Sequence, residues 1–322
     1  MSTSNNFTAP FILITALLIL ILFQTVIFTN AEYETTDGGD YITIDNVQYR
    51  PDRFFLLAIA ANISAFILPA AFYIKLKGAG YSQNLKLALP RPKYLLFGTY
   101  MFFVLLSGAV LINSLMLYAG AGEQVNENLL PFVIDAGANP LYEIGIVISF
   151  VIVPALCEEF FFRSALAAEY EKQGAVCAAA ITSAAFAMAH FSLELFPSYF
   201  FAAVVLYIAA KVTGSVFYAV IIHAGYNFFN IYLWDRLSRI INFEQNRVLF
   251  MFITAVVFVV FVIFALNSAQ YIYYEKALTT PPPKKNAKTK KQPLFIVRFF
   301  KSFLSPTFLA AAVIFFIYIN IR

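Results

Sequence analysis

Hydrophobic residues occupy this chain in nine blocks, each close to the ~20 residues an α-helix needs to cross a hydrocarbon core. They lie at roughly 10–29, 54–76, 94–118, 141–168, 175–193, 197–211, 214–234, 248–273 and 299–320. The blocks cover the whole length, so no stretch is left for a separate soluble domain of ordinary size. The pattern predicts an all-α polytopic membrane protein of about nine transmembrane helices. The first block lacks a basic leader, has a long apolar core and is followed by further spans, so it reads as an uncleaved helix rather than a signal peptide.

Composition sharpens this picture. The 322 residues are 61% hydrophobic and 12% charged, with a mean hydropathy of +0.75, whereas about a quarter of a soluble domain is charged. The net charge of +4 does not point to nucleic acid, because Lys and Arg gather in a few loops, where they act as orientation signals. Cys157 and Cys177 fall in apolar helical stretches with no metal-ligand spacing and no secreted framework around them, which argues against a disulfide. Cys157 is read as packing.

Loop charge sets the topology. Residues 30–52 carry Glu32, Glu34, Asp37, Asp40, Asp45 and Asp52 against Arg50 alone, while 75–93 hold Lys75, Lys77, Lys86, Arg91 and Lys93. The first loop is expected outside and the second inside, with the N-terminus cytoplasmic. The loop around Glu123, Glu127 and Asp135 falls outside, and the run TTPPPKKNAKTKKQP at 279–293 falls inside. That run reads as a cytoplasmic linker that anchors topology and touches anionic headgroups. Arg236, Arg239 and Arg247 run against the scheme; Tyr232, Trp234, Tyr271, Tyr273 and Tyr274 support it as interfacial aromatics. The expected divisions are N-terminal helices and loops (1–140), a central core (141–234), a further helix (235–278), the Pro/Lys-rich linker (279–297) and a C-terminal helix (298–322). No internal repeat is visible, so the inverted-repeat signature of many transporters is missing.

Few polar side chains enter the spans: Glu158, Glu159 and Arg163 on the fourth, His190 on the fifth, and His223, Asn227 and Asn230 on the seventh. An ionisable group at that depth costs at least ~2.5 kcal/mol and marks a functional site by default. Glu159 and Arg163 are i and i+4, so they share a face and can pair. Glu158 lies about 100° round the helix and is left as the unpaired carboxylate. His223, Asn227 and Asn230 form one stripe. With a hairpin at Gly174, Glu158 and His190 both lie roughly 24 Å from the turn. The EYEKQ segment before the turn is expected to protrude into the cytoplasm, leaving Glu158 about 15 Å deep, with His223 at roughly 14 Å by the same rise. Three spans thus bring polar groups to one layer.

A carboxylate in such a layer suits general-base work near neutral pH, with a histidine to relay the proton. A second histidine with an asparagine amide supplies donors for an oxyanion. These are parts for water attack on an amide carbonyl. One Glu and two His are also legitimate zinc ligands, and a purely structural reading, polar side chains bonding helices together, competes with both.

The strings EEFFFR (Glu158 to Arg163), FAMAH (Phe186 to His190) and HAGYN (His223 to Asn227) resemble the EExxxR, FxxxH and HxxxN motifs of the CPBP family of intramembrane proteases, which includes the type II CAAX prenyl endopeptidases and abortive-infection-like proteins. The resemblance covers about 141–234, taken as the CAAX-protease-like helical core. It implies that Glu158 activates water together with His190, that His223 and Asn227 stabilise the oxyanion, and that Glu159 and Arg163 position the site. The glutamate-water mechanism requires no cofactor; because the family is often labelled metalloprotease, zinc on Glu158, His190 and His223 stays open. The implied partners are the bilayer and a membrane-anchored protein or peptide substrate, prenylated as in eukaryotic relatives or not. Nothing in the sequence sets an oligomeric state, and the short loops lean towards a bacterial plasma membrane.

Two other classes compete with an endopeptidase. A membrane scaffold or bacteriocin-immunity factor would keep the motifs without cutting, and a transporter would use the same ionisable groups as a relay.

Overall fold

The computed structural model describes residues 9–25, 31–36, 39–44, 47–49, 51–119, 140–241, 243–279 and 294–321. The acidic loop around Glu123, Glu127 and Asp135 and the Pro/Lys run from residue 280 to 293 lie outside the described residues.

Helices account for each of the nine apolar blocks. They are α1 (Ala9–Phe23), α2 (Arg53–Lys77), α3 (Pro92–Tyr118), α4 (Leu141–Gln173), α5 (Ala175–Met188), α6 (Phe196–Thr213) and α7 (Val216–Leu233). An amphipathic α8 (Trp234–Ile241) precedes α9 (Gln245–Thr279), and α10 (Phe295–Phe303) and α11 (Pro306–Ile321) follow. Among the described residues six of these helices are long and apolar enough to cross a membrane, or seven if α10 and α11 form one span bent by 49°. The ninth block breaks there because Pro306, opening α11, has no N–H to carry a helix through. The fifth stops early at Met188, where the chain turns through Phe191 in the left-handed region (φ 48°).

One addition to the all-α expectation lies between α1 and α2. Part of the acidic segment forms an antiparallel meander of β1 (Ala31–Thr36), β2 (Gly39–Ile44) and β3 (Val47–Tyr49), with Ala31 opposite Ile44 and Ile42 opposite Tyr49. Its signals are visible in the residues, with Tyr33 and Thr35 alternating with Glu32 and Glu34 along β1 and Tyr, Ile, Thr and Val frequent in all three strands.

The helices pack as two cores sharing α6. Leu13, Phe66, Phe161, Phe186 and Phe315 lie in one, while Phe97, Leu105, Leu206, Tyr218 and Ala265 lie in the other. Small residues of α6 face both, Ala203 towards the first and Ala202, Ala209 and Ala210 towards the second, which lets helix backbones approach closely. Wide π-helical turns interrupt α2 at Ile63–Ile67 and α4 at Val147–Ile152. Each ends two residues before a proline, Pro69 or Pro154, whose missing N–H disturbs the i to i−4 ladder.

The connection from α2 to α3 is strapped across the ends of α4 and α7. Ser164 Oγ donates to Leu85 O (2.6 Å), Tyr81 hydroxyl donates to Ala165 O, Ser215 Oγ donates to Ala88 O (2.6 Å) and Tyr218 hydroxyl donates to Arg91 O (2.5 Å). Beneath it Glu171 meets Lys86 (2.8 Å), Lys211 (2.9 Å) and the Tyr207 hydroxyl (3.0 Å). The EYEKQ end of α4 is therefore packed against this connection. Glu169 and Tyr170 are buried, and the Glu169 carboxylate meets Lys172 of its own helix at 2.9 Å and Lys77, the last residue of α2, at 3.7 Å.

Candidate functional site

The site begins on α4, where Glu158 and Glu159 stand side by side and a π-helical turn, Phe160–Leu166, starts immediately after them. Such turns recur at functional sites. Arg163 lies within this one, and its Nη1 is 3.0 Å from Glu159 Oε1, as the i, i+4 spacing predicts. The pair is wholly enclosed, Glu159 being 0% and Arg163 1% exposed. Buried charge has to be matched by charge and hydrogen bonds. Arg163 meets part of that demand by donating from Nη2 to Ala203 O of α6 (3.2 Å) and by lying over the Phe186 ring at 4.5 Å, while its Nε is buried without a hydrogen-bond partner.

The seventh span reaches the same carboxylate. His223 Nδ1 is 2.9 Å from Glu159 Oε1, so a single oxygen gathers Arg163 from its own helix and His223 from α7. The carboxylate only accepts, which assigns the hydrogen to Nδ1. The sequence had linked His223 to Asn227 and Glu159 to Arg163 as separate pairs; the fold joins the pairs through Glu159.

Glu158 is different. It is buried, its Oε2 has no hydrogen-bond partner among the described residues, and its electrostatic neighbours are His223, Glu159, Arg163 and Tyr199. It is the open carboxylate that the 100° offset predicted. Asn227 follows His223 one turn along α7, half-buried, and enters none of the contacts that tie the carboxylates, Arg163 and the histidines together among the described residues. Asn230 instead hydrogen-bonds with the Tyr226 hydroxyl, which also meets Ser198.

His190 departs from its expected place inside the fifth helix. Since α5 ends at Met188, His190 sits in the turn just beyond it. Its Nδ1 reaches back to Phe186 O at 2.9 Å. The Gly174 hairpin is where the sequence puts it, at φ 115° between α4 and α5, a conformation that favours glycine.

Aromatic rings hold these groups, and here the sequence reading missed the architecture. Phe186 stands between both histidines and the guanidinium, with ring centroids 4.7 Å from His190 and 5.7 Å from His223. Tyr199 of α6 stacks on His190 at 3.9 Å and 25°. In an apolar stretch such as FPSYFF one ring looks like another, so only the contact reveals Tyr199.

The zinc alternative does not fit this arrangement. No group of three His, Cys, Asp or Glu side chains among the described residues is placed to hold a metal ion. The reason is local, for His190 is flanked by the Phe186 and Tyr199 rings and His223 is turned to Glu159. Both cysteines are buried and free.

Residues 140–229 match the family model for Type II CAAX prenyl endopeptidase Rce1-like proteins. No curated protein and no solved structure matches the chain. The matched stretch contains Glu158, His190, His223 and Asn227. The match is confined to this central stretch, and the long apolar helices in and around it point to a multi-pass integral membrane protein.

Proposed function

Taking the Rce1-like domain as premise, we propose that the protein is an intramembrane endopeptidase that hydrolyses a peptide bond of a membrane-anchored protein or peptide by glutamate-activated water. The observation that carries the reading is the contrast between the two adjacent carboxylates: Glu159 is engaged through Oε1 by Arg163 and His223, while Glu158 enters no hydrogen bond or ion pair among the described residues, although each keeps a buried, unpartnered Oε2.

In this reading Glu158 takes a proton from water as the oxygen attacks the scissile carbonyl. The carbonyl becomes a tetrahedral oxyanion, stabilised by donors from His223 and the Asn227 amide. With Nδ1 already donating to Glu159, His223 can donate from Nε2 only when both nitrogens carry hydrogen, and the Glu159 carboxylate balances the resulting cation. The proton on Glu158 then passes, with His190 as relay, to the leaving amine as the C–N bond breaks. Arg163 and Glu159 position these groups, and no step runs through a metal. The proposed setting is a bacterial plasma membrane with the N-terminus inside. The substrate is membrane-tethered, prenylated or not, and meets the site near the inner face.

The test compares wild type and Glu158→Gln on membrane-tethered peptides, prenylated and unprenylated, with product masses recorded and each reaction repeated after chelation. Cutting by wild type alone, unaffected by chelator, is the expected result. Equal cutting by Glu158→Gln, or equal protection or complementation of a deletion strain by both proteins without cutting, overturns the proposal.

A further inference from the structure

His190 lies beyond the last residue of α5, so no helical turn restrains its side chain. Two contacts do. Its Nδ1 is 2.9 Å from the Phe186 carbonyl oxygen, and a carbonyl only accepts, so Nδ1 carries the hydrogen and the neutral ring keeps Nε2 as an acceptor. That single bond leaves the ring free to pivot about it. The second contact removes the freedom: Tyr199 stacks face to face on the imidazole at 3.9 Å, with Phe186 tilted against it at 4.7 Å. Tyr199 is delivered there by the connection from α5 to α6, with Phe191 in the left-handed region and the Tyr199 amide donating to Leu195 O (2.9 Å). The same tyrosine is an electrostatic neighbour of Glu158, so one side chain borders both the open carboxylate and the histidine.

We propose that Tyr199 is a positioning residue of this site: its ring locks His190 as the Nδ1–H tautomer and keeps the Nε2 lone pair available to carry the proton between Glu158 and the leaving amine. The stacking face does this work, not the hydroxyl. The proton-transfer part rests on the endopeptidase reading, whereas the tautomer is a property of the resting protein and is measured without substrate.

The chain contains two histidines, so the imidazole nitrogen spectrum of full-length protein, labelled at histidine with nitrogen-15 in lipid nanodiscs, holds two rings. A His190→Gln sample assigns them. In wild type His190 shows a protonated Nδ1 and an unprotonated Nε2. Tyr199→Phe keeps that pattern. Tyr199→Leu loses it, the two nitrogen shifts converging as tautomers exchange, while His223 stays in place and reports that the rest of the site is folded. In the cleavage assay Tyr199→Leu lowers kcat by about ten- to a hundredfold, as misplacement of a reacting group does, with KM within about twofold, and Tyr199→Phe restores kcat. A wild-type or Tyr199→Phe ring that is Nε2–H or averaged overturns the proposal even if the Leu variant fails to fold. So does a Leu variant with an unchanged His190 pattern. An inactive wild type with the expected tautomer leaves the positioning intact and removes only the endopeptidase reading.

Discussion

Glu159 Oε1 lies 2.9 Å from His223 Nδ1 and 3.0 Å from Arg163 Nη1, so one carboxylate oxygen couples α4 to α7 at a buried position. The neighbouring carboxylate of Glu158, in the same backbone and also buried, enters no hydrogen bond or ion pair among the described residues. Two adjacent glutamates therefore hold different posts, set by which side of the helix faces an arginine and a histidine.

Glu159→Gln strands the Arg163 charge, and breaking one side of a buried ion pair costs about 3–5 kcal/mol. The double variant Glu159→Gln/Arg163→Met, with no charge left to compensate, recovers most of that stability but not cleavage, because His223 has lost its carboxylate. Denaturant unfolding in one lipid environment, run beside peptide cleavage, checks both halves. Equal losses in the single and double variants would falsify the coupling.

On the proposed roles, His223→Leu and Asn227→Ala each remove an oxyanion donor and lower kcat by about 10²–10³ while KM changes little. A loss confined to KM would assign the two side chains to substrate binding instead. Steady-state kinetics on whichever tethered peptide is cut distinguishes the outcomes.

Gly145→Ala tests the packing that carries α4. A Cβ there would stand 2.4 Å from Phe55 Cδ2, and the Phe55 ring is hemmed in by Tyr142 and Phe150. Overpacking of this kind costs about 1–3 kcal/mol. The expected sign is a lower thermal midpoint, and an unchanged midpoint would mean that Phe55 moves aside freely.

Lys86, in the connection from α2 to α3, has its pKa lowered from the ordinary 10.5 because burial disfavours its charged form, with the Glu171 contact pulling the other way. Between the lowered value and 10.5 the folded chain binds fewer protons at this site than the unfolded chain, so the Lys86 contribution makes stability rise with pH across that window. Lys86→Met lacks this rise. The difference in thermal midpoint, wild type minus variant, should grow as pH rises towards the ordinary lysine value of 10.5; a constant or shrinking difference counts against the assignment.

Much of the site was legible from spacing. The pairing of Glu159 with Arg163 follows from one helical turn, the freedom of Glu158 from the 100° step, and the hairpin from Gly174, whose φ of 115° needs a residue without a Cβ. These are properties of a few consecutive residues. The three-stranded meander was also legible in its aromatic and β-branched residues, behind the acidic charge of the segment.

What stayed hidden depends on residues distant in sequence. His190 leaves its helix because the chain turns at Phe191, whose ring packs against Phe315 and Tyr318 of α11, more than a hundred positions away. The bond from Glu159 to His223 spans 64 positions, and the Arg163 donor finds a backbone carbonyl that no side-chain pattern records. By itself the sequence determined that the chain is a bundle of apolar helices and which few polar side chains interrupt them, because hydrophobic periodicity and the cost of buried charge act locally along one dimension. The tertiary structure alone decided which carboxylate is occupied, which is open and which aromatic ring rests on His190, because those outcomes are set by how helices pack across the whole chain.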